Sequence, residues 1–396
     1  MKLLLYTICY IVYPFSFLII RKKNSYAFGS FRGSFNDNAK YLFIYASEHC
    51  KDIKIAWISQ NKATVNHIRS MGFKAYYVFS LRGVWHALTS KYWFFNSYTS
   101  DIMYCLSGGA VCVNLWHGVG IKRIEYNITT GPLSKRYDRS DREDAYCHPE
   151  VFRKPDYIVS SSSFQTEFFS MSFRVPKECC LEFGYSRNEI LKQSDSERMA
   201  FVKKYESESV LEMIEFLKRF DKVLIYMPTW RDSQRDIFVQ GMNLERLNNV
   251  LAASNEVVLL KPHANVIIDN SVHGLSNVLI LDGRMDVYPL LPYTDVLITD
   301  YSSILYDYLL MPDKDVILYL YDYKDYVADR DFAYPFDENV TGKKVFNFED
   351  LLQCVSSHDY AVNSESVRHI VDKFWGKSIE YNSCEKLLDF IDGKKG

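Results

Sequence analysis

A rhythm constrains this chain more than any single motif: short apolar runs alternate with stretches of helical spacing, and the series begins twice. The first series predicts strands at 26–29, 53–58, 75–79, 92–96, 111–116, 157–160 and 181–185, with helical patterns such as 38–49 and 64–71 between them. A polar, charged helix is predicted over about 189–219, with Met213, Phe216, Leu217 and Phe220 apolar in its second half. A second series then follows at 222–227, 256–260, 277–281, 295–299 and 316–319. Strands separated by helices read as parallel α/β sheets, whose ligands sit at the carboxyl ends of the strands.

At 396 residues the chain has room for two domains or three, at roughly 100–200 residues each. With 48% apolar and 24% charged residues it is globular. Lys and Arg number 47 against 49 Asp and Glu, without the basic excess of a nucleic-acid binder. The nine cysteines are scattered, with no CxxC and no metal-ligand spacing, so neither a disulfide framework nor a structural zinc site is expected. Residues 3–20 carry no charge and are followed by Arg21, Lys22 and Lys23. Eighteen residues interrupted by Pro14 are barely enough to span a bilayer, so a span, a surface anchor and a buried helix are all compatible with them. The basic cluster favours an anionic membrane surface on the cytoplasmic side. The segment 123–146 is charged and aperiodic, and reads as a loop near a site.

Four motifs follow predicted strands directly. Trp116-His117-Gly118-Val119-Gly120-Ile121-Lys122 presents a histidine able to act as general base, beside two glycines that permit close backbone approach. In Met227-Pro228-Thr229-Trp230-Arg231-Asp232, Thr229 and the nearby amides suit a phosphate. Lys261-Pro262-His263 makes a cationic spot suited to a diphosphate. In Thr299-Asp300-Tyr301-Ser302-Ser303-Ile304-Leu305-Tyr306-Asp307 a strand runs into a helix, so the serines fall near free amides and Asp307 one turn on could accept from a polyol hydroxyl. Taken singly, each has an ordinary alternative: a solvated loop histidine, a rigid turn, a surface charge, a serine cap. Together they describe a site for a nucleotide diphosphate donor. Asp313-Lys314-Asp315 has metal-binding spacing but follows Pro312 in a turn, and reads as solvated charge.

These segments, with GYSRNE at 184–189, YDYKDY at 321–326, FNDNAKYLF at 35–43 and AWIS at 56–59, resemble the CDP-glycerol glycerophosphotransferase family of teichoic-acid primases and polymerases. The resemblance implies a GT-B fold, two Rossmann-like domains facing across a cleft, and transfer of glycerol phosphate from CDP-glycerol to a lipid-linked or polymeric acceptor, with release of CMP. It assigns His117 as catalytic base and His263 to the donor diphosphate. Arg187, Pro228, Thr229, Ser302, Ser303 and Asp307 fall on substrate-binding positions, with Ser186 standing where the family has proline. Expected boundaries are 1–23 for the apolar segment with its basic flank, 24–190 for the acceptor domain and 191–396 for the donor domain. The expected setting is the cytoplasmic face of a bacterial membrane, in teichoic-acid or capsule-type polymer synthesis, with no metal or other cofactor implied. CDP-ribitol in place of CDP-glycerol, a sugar-nucleotide glycosyltransferase of the same fold, and a nucleotide-binding scaffold without turnover stand as alternatives.

Overall fold

A computed structural model describes residues 2–137, 141–229, 242–262, 274–324, 326 and 332–393. The chain divides into two compact units. The first comprises 1–119, 123–189 and 374–396; the second comprises 120–122 and 190–373. The described residues 374–393 therefore pack with the first unit, where a single boundary near 190 would have assigned them to the second. Within the first unit Ser161 Oγ donates to the carbonyl of Phe374 (2.6 Å), and Tyr26 Oη to Asp392 Oδ1 (3.1 Å).

The first unit contains β1 (Lys22–Phe28), β2 (Lys54–Ser59), β3 (Ala75–Tyr77), β4 (Ser90–Phe95), β5 (Val111–Asn114), β6 (Tyr157–Ser160) and β7 (Cys180–Glu182). They form one sheet in the order β3-β2-β1-β4-β5-β6-β7, and every pairing is parallel. The second unit contains β8 (Lys222–Tyr226), β9 (Glu256–Leu260), β10 (Val278–Ile280), β11 (Val296–Thr299), β12 (Asp315–Tyr319) and β13 (Lys343–Val345), ordered β10-β9-β8-β11-β12-β13 and again all parallel. These are Rossmann orders. The strand order reverses between β1 and β4 in one sheet and between β8 and β11 in the other, which are the points where such folds bind ligands.

Both faces of each sheet are covered, so most strands read as apolar runs and do not alternate, β13 at the edge of its sheet excepted. In the second unit Leu224, Val258, Val296 and Ile317 pack against Leu247 and Leu251 of the helix Leu244–Ala253 and against Leu351 and Val355 of the helix Phe348–Ser357. Emptying a fully buried site such as Leu251 to alanine typically costs about 2–5 kcal/mol. The charged stretch expected as one long helix is three: Glu189–Lys192, Asp195–Tyr205 and Glu208–Leu217. The break comes from Ser194, whose hydroxyl accepts from the Glu197 amide while the Glu197 carboxylate accepts from the Ser194 amide, a reciprocal cap that starts a new helix.

The apolar N-terminus forms the helix Lys2–Ser16, and among the described residues no helix is long and apolar enough to cross a membrane. One face packs on the first unit. Tyr13 stacks on Tyr104 (4.6 Å) and Cys9 and Val12 meet the core. Ser16 Oγ accepts from the Gly108 amide (2.9 Å), an approach so close that a Cβ on Gly108 would lie 2.2 Å from that oxygen. Ile8, Ile11, Phe15 and Leu18, spaced three and four apart, are exposed. The basic cluster is split. Arg21 turns inward and gives five hydrogen bonds to the carbonyls of Ala87, Ser90, Leu106 and Gly108, and burial pushes its pKa down to about 10. Lys22 and Lys23 remain exposed, at the start of β1.

Candidate active site

In the first unit the chain leaves β5 and turns sharply at Trp116, a left-handed non-glycine residue (φ 54°) whose ring packs edge-on against Phe173. That turn presents His117. Gly118 follows with φ 133°, a conformation that favours glycine, and its carbonyl accepts from Tyr185 Oη (3.1 Å). His117 has an exposed surface, yet the density of protein around the ring dominates its titration and lowers its pKa. Asp37 and the Asn96 carbonyl oppose that shift, and Arg187 adds to it. Nδ1 lies 3.4 Å from the Asn96 carbonyl at the end of β4. A proton on Nδ1 directed there leaves the lone pair on Nε2.

Arg187, expected to bind substrate, is buried and otherwise engaged. Its Nη1 donates to Asp37 Oδ1 (2.6 Å) and to the His117 carbonyl (3.0 Å). It shapes the histidine loop from beneath.

Val119 and Ile121 are buried, so the middle of this motif is packing. Gly120, Ile121 and Lys122 belong to the second unit, where the Ile121 carbonyl accepts from the Ala333 amide (2.9 Å) and Lys122 forms an antiparallel bridge with Phe332. Lys122 Nζ lies 5.3 Å from the centre of the Tyr326 ring and makes a long contact with Thr229 Oγ1 (3.5 Å).

The second unit's switch point joins the loop after β8 to the loop after β11. Met227 N donates to the Ile298 carbonyl (2.9 Å), Thr299 Oγ1 to the Met227 carbonyl (2.7 Å), and Thr229 N to Asp300 Oδ1 (2.8 Å). The same Asp300 oxygen accepts from the Tyr301 amide (2.6 Å). Pro228, Thr229, Ser302 and Ser303 are brought together here, half-buried. Ser303 precedes the short helix Ile304–Tyr308 without making a side-chain capping bond, so an ordinary serine cap does not account for it. Asp307 is buried and accepts from Tyr288 Oη (2.7 Å), a bond that already uses one oxygen of the expected polyol acceptor.

Lys261 departs from expectation in the same sense as Arg187. Its ammonium donates to the carbonyls of Gly283 (2.6 Å) and Asp282 (3.2 Å), with a longer contact to that of Pro262 (3.5 Å), and burial lowers its pKa to about 8. Pro262 is buried beside it, and His263 lies outside the described residues, as does the segment 230–232. Lys314 of the Asp-Lys-Asp turn donates to the carbonyls of Pro292 and Thr294, and among the described residues no group of three or more His, Cys, Asp or Glu could hold a metal ion.

Sequence reasoning passed over Asp37, Asn38, Asn96 and Asp300. Each had a visible signal: a polar residue where an apolar element begins or ends, Asp37 and Asn38 heading the helix Asp37–His49, Asn96 just past β4 and Asp300 just past β11.

The family model for CDP-glycerol:poly(glycerophosphate) glycerophosphotransferase matches residues 11–392. The chain is 26% identical to a teichoic acid poly(glycerol phosphate) polymerase of Bacillus spizizenii, over 94% of this chain and 93% of that protein. It is 28% identical to a teichoic acid glycerol-phosphate transferase of Staphylococcus aureus, over 86% and 85%. Its fold is similar to that of the wall teichoic acid polymerase TagF, with a TM-score of 0.73 at 21% identity, covering 99% of this chain and 94% of that one.

Proposed function

The chain belongs to the CDP-glycerol:poly(glycerophosphate) glycerophosphotransferase family, and from that premise we propose the reaction and the part each cluster plays in it. The enzyme transfers glycerol phosphate from CDP-glycerol in teichoic acid synthesis. The family match along residues 11–392 carries this reading.

A hydroxyl oxygen of the acceptor attacks the β-phosphorus in line. The new P–O bond forms as the bond to the bridging oxygen breaks, and CMP departs with that oxygen. The acceptor proton passes to Nε2 of His117, whose lowered pKa keeps the imidazole neutral and able to accept it. Thr229, Ser302 and Ser303 bind the donor phosphates, on loops that Asp300 ties together. Lys261 braces the end of β9 against the carbonyls of Asp282 and Gly283, and the donor diphosphate is the part the family resemblance gives to His263. Asp307, already bonded to Tyr288, orders the floor under the glyceryl group. The reading asks for no metal.

The acceptor is lipid-linked or polymeric, and the enzyme works at the inner leaflet. Support comes from the exposed stripe of Ile8, Ile11, Phe15 and Leu18, from exposed Lys22 and Lys23, and from the exposed Trp85 ring 5.8 Å from Lys22 Nζ. Ile11→Glu with Phe15→Glu is expected to abolish flotation with anionic vesicles while leaving turnover on a soluble acceptor unchanged. Undiminished flotation removes this face from the proposal.

The deciding experiment is CMP release from CDP-glycerol, CDP-ribitol and a UDP-sugar in parallel, each with a lipid-linked acceptor and with or without EDTA. Release from CDP-glycerol alone, insensitive to EDTA, is expected. Release only from another donor overturns the donor assignment, and loss with EDTA overturns the metal-free reading.

A further inference from the structure

Residues outside the four motifs converge beneath His117. Asp37 opens the helix Asp37–His49 with φ 60°, a left-handed start that costs a non-glycine residue about 1 kcal/mol or more. Its Oδ1 accepts from Arg187 Nη1 (2.6 Å) and from the Asn38 amide (2.8 Å), and the same Nη1 donates to the His117 carbonyl (3.0 Å). Asn38 is buried. Its Nδ2 donates to the carbonyls of Trp116 (2.9 Å) and Leu115 (3.3 Å), and its Oδ1 accepts from the Arg187 amide (3.1 Å). On the far side Asn96 Oδ1 accepts from the Ala39 amide (3.0 Å), so the strand end facing the His117 ring is fastened to the same helix.

Helix capping does not explain this arrangement. Asn36 stands at the cap position and makes no side-chain capping bond, while of the two residues after it Asp37 reaches outward to Arg187 and Asn38 to the histidine loop. Two left-handed non-glycine residues, Asp37 and Trp116, persist where this one network holds them. Such strain survives only when its surroundings over-determine it. The charged groups acting on the ring are Asp37 from the helix and Arg187 from the turn Ser186–Asn188, and the end of β4 adds the Asn96 carbonyl.

We propose that Asp37 and Asn38 are positioning residues for His117: Asn38 fixes the backbone on which the ring stands, and Asp37 orients Arg187 under the histidine carbonyl and sets the charge the ring feels. The proposal rests on the reading of His117 as the base.

The test compares Asp37→Gly, Asp37→Asn, Asn38→Ala and His117→Ala in the full chain, measuring kcat and KM for CDP-glycerol across pH, with thermal midpoints in parallel. Glycine accepts the left-handed start, so Asp37→Gly removes the carboxylate without adding strain. Asp37→Gly and Asn38→Ala are expected to lower kcat by roughly 10- to 100-fold, as a misplaced catalytic group does, with donor KM within about twofold. Asp37→Asn keeps the Oδ1 acceptor and restores most of kcat. Because the carboxylate raises the pKa of His117 and Arg187 lowers it, losing that negative charge moves the acidic limb of kcat/KM to lower pH. Wild-type kcat in Asp37→Gly, or an unmoved limb in Asp37→Asn, overturns the proposal; if Asp37→Gly fails to fold, the Asp37→Asn profile decides alone. His117→Ala tells the two failures apart: turnover surviving in it sinks the base assignment, whereas its collapse beside indifferent Asp37 variants sinks only the positioning role.

Discussion

Both sheets reverse their strand order at the same step, between β1 and β4 in the first unit and β8 and β11 in the second, yet the two switch points are built from different materials. In the first, buried side chains hold backbone: Asn38 and Arg187 grip a loop that contains a left-handed tryptophan, and Asn96 fastens the facing strand end to the helix Asp37–His49. In the second, backbone and short side chains hold each other, and one carboxylate, Asp300, gathers two amides. A proton acceptor requires one atom at one point, which long, interlocked side chains can specify. A diphosphate presents several oxygens, and a pair of loops offering hydroxyls and amides suits distributed charge. The contrast fits the proposed division, with proton transfer in the first unit and donor recognition in the second.

The strongest way to break that division is to strike each side and watch different kinetic parameters. His117→Ala is expected to lower kcat by roughly 10²- to 10⁴-fold, the usual contribution of a general base, with donor KM little changed. Ser302→Ala with Ser303→Ala is expected to do the reverse, raising donor KM by roughly 10- to 100-fold if one or two bonds to charged oxygens are lost. Steady-state CMP release with titrated CDP-glycerol reads both. If the serine pair lowers kcat as His117→Ala does and spares KM, the division of labour is wrong.

A smaller effect sharpens the second half of the comparison. Asp300 is buried, and replacing it with alanine leaves the amides of Thr229 and Tyr301 without their acceptor. Each such group costs about 1–3 kcal/mol, and the loop that carries Thr229 is the one able to relax. Donor KM is expected to rise about 10-fold. Asp300→Asn retains an acceptor oxygen and recovers most of that loss, while Thr299→Val, which removes only the tie to the Met227 carbonyl, shifts KM by about threefold. Equal losses in Asp300→Asn and Asp300→Ala would show that charge, and not the held geometry, is what matters at 300.

The first unit and the second were unequally legible in the sequence. All twelve predicted strands exist, because fully covered parallel strands read as apolar runs; β13 was missed because its three residues are Lys343, Lys344 and Val345. The strand-end motifs located the second unit's switch point, after β8 and β11, whereas in the first unit the histidine motif follows β5, one strand beyond the reversal between β1 and β4. The structure adds most where long cations point. Arg187, Lys261 and Arg21 read as ligand or membrane contacts, and each donates to carbonyls or a carboxylate of its own fold. Local sequence cannot reveal this, since Gly283 lies twenty-two residues from Lys261 and Asp37 one hundred and fifty from Arg187. The N-terminal helix was ambiguous for a related reason: its inner and outer faces are both apolar, and partners distant in sequence, among them Tyr104, Gly108 and Tyr146, distinguish them.

The comparison also extends to pH, with the smallest expected effect on turnover. Glu125 in the first unit is buried and accepts from Tyr98 Oη (2.7 Å) and Tyr137 Oη (3.3 Å), but burial outweighs those bonds and pushes its pKa up to about 7. The folded unit then binds a proton that the unfolded chain has already lost, so stability from Glu125 is present in acid and declines as pH rises from about 4.5 to about 7. Lys261 in the second unit has the opposite sign. Its folded pKa of about 8 lies below the ordinary 10.5, so the unfolded chain binds the extra proton and stability rises with pH across that window. Amide exchange, corrected for its intrinsic pH dependence, should show protection in β4 and β5 weakening from acid to neutral pH while that in β9 and β10 strengthens above pH 8. Glu125→Gln should flatten the first trend and Lys261→Met the second, with Glu125→Gln changing turnover at pH 7.5 by less than about twofold. Parallel trends in both units, or trends that survive these substitutions, would mean that groups other than Glu125 and Lys261 govern how the two units respond to pH.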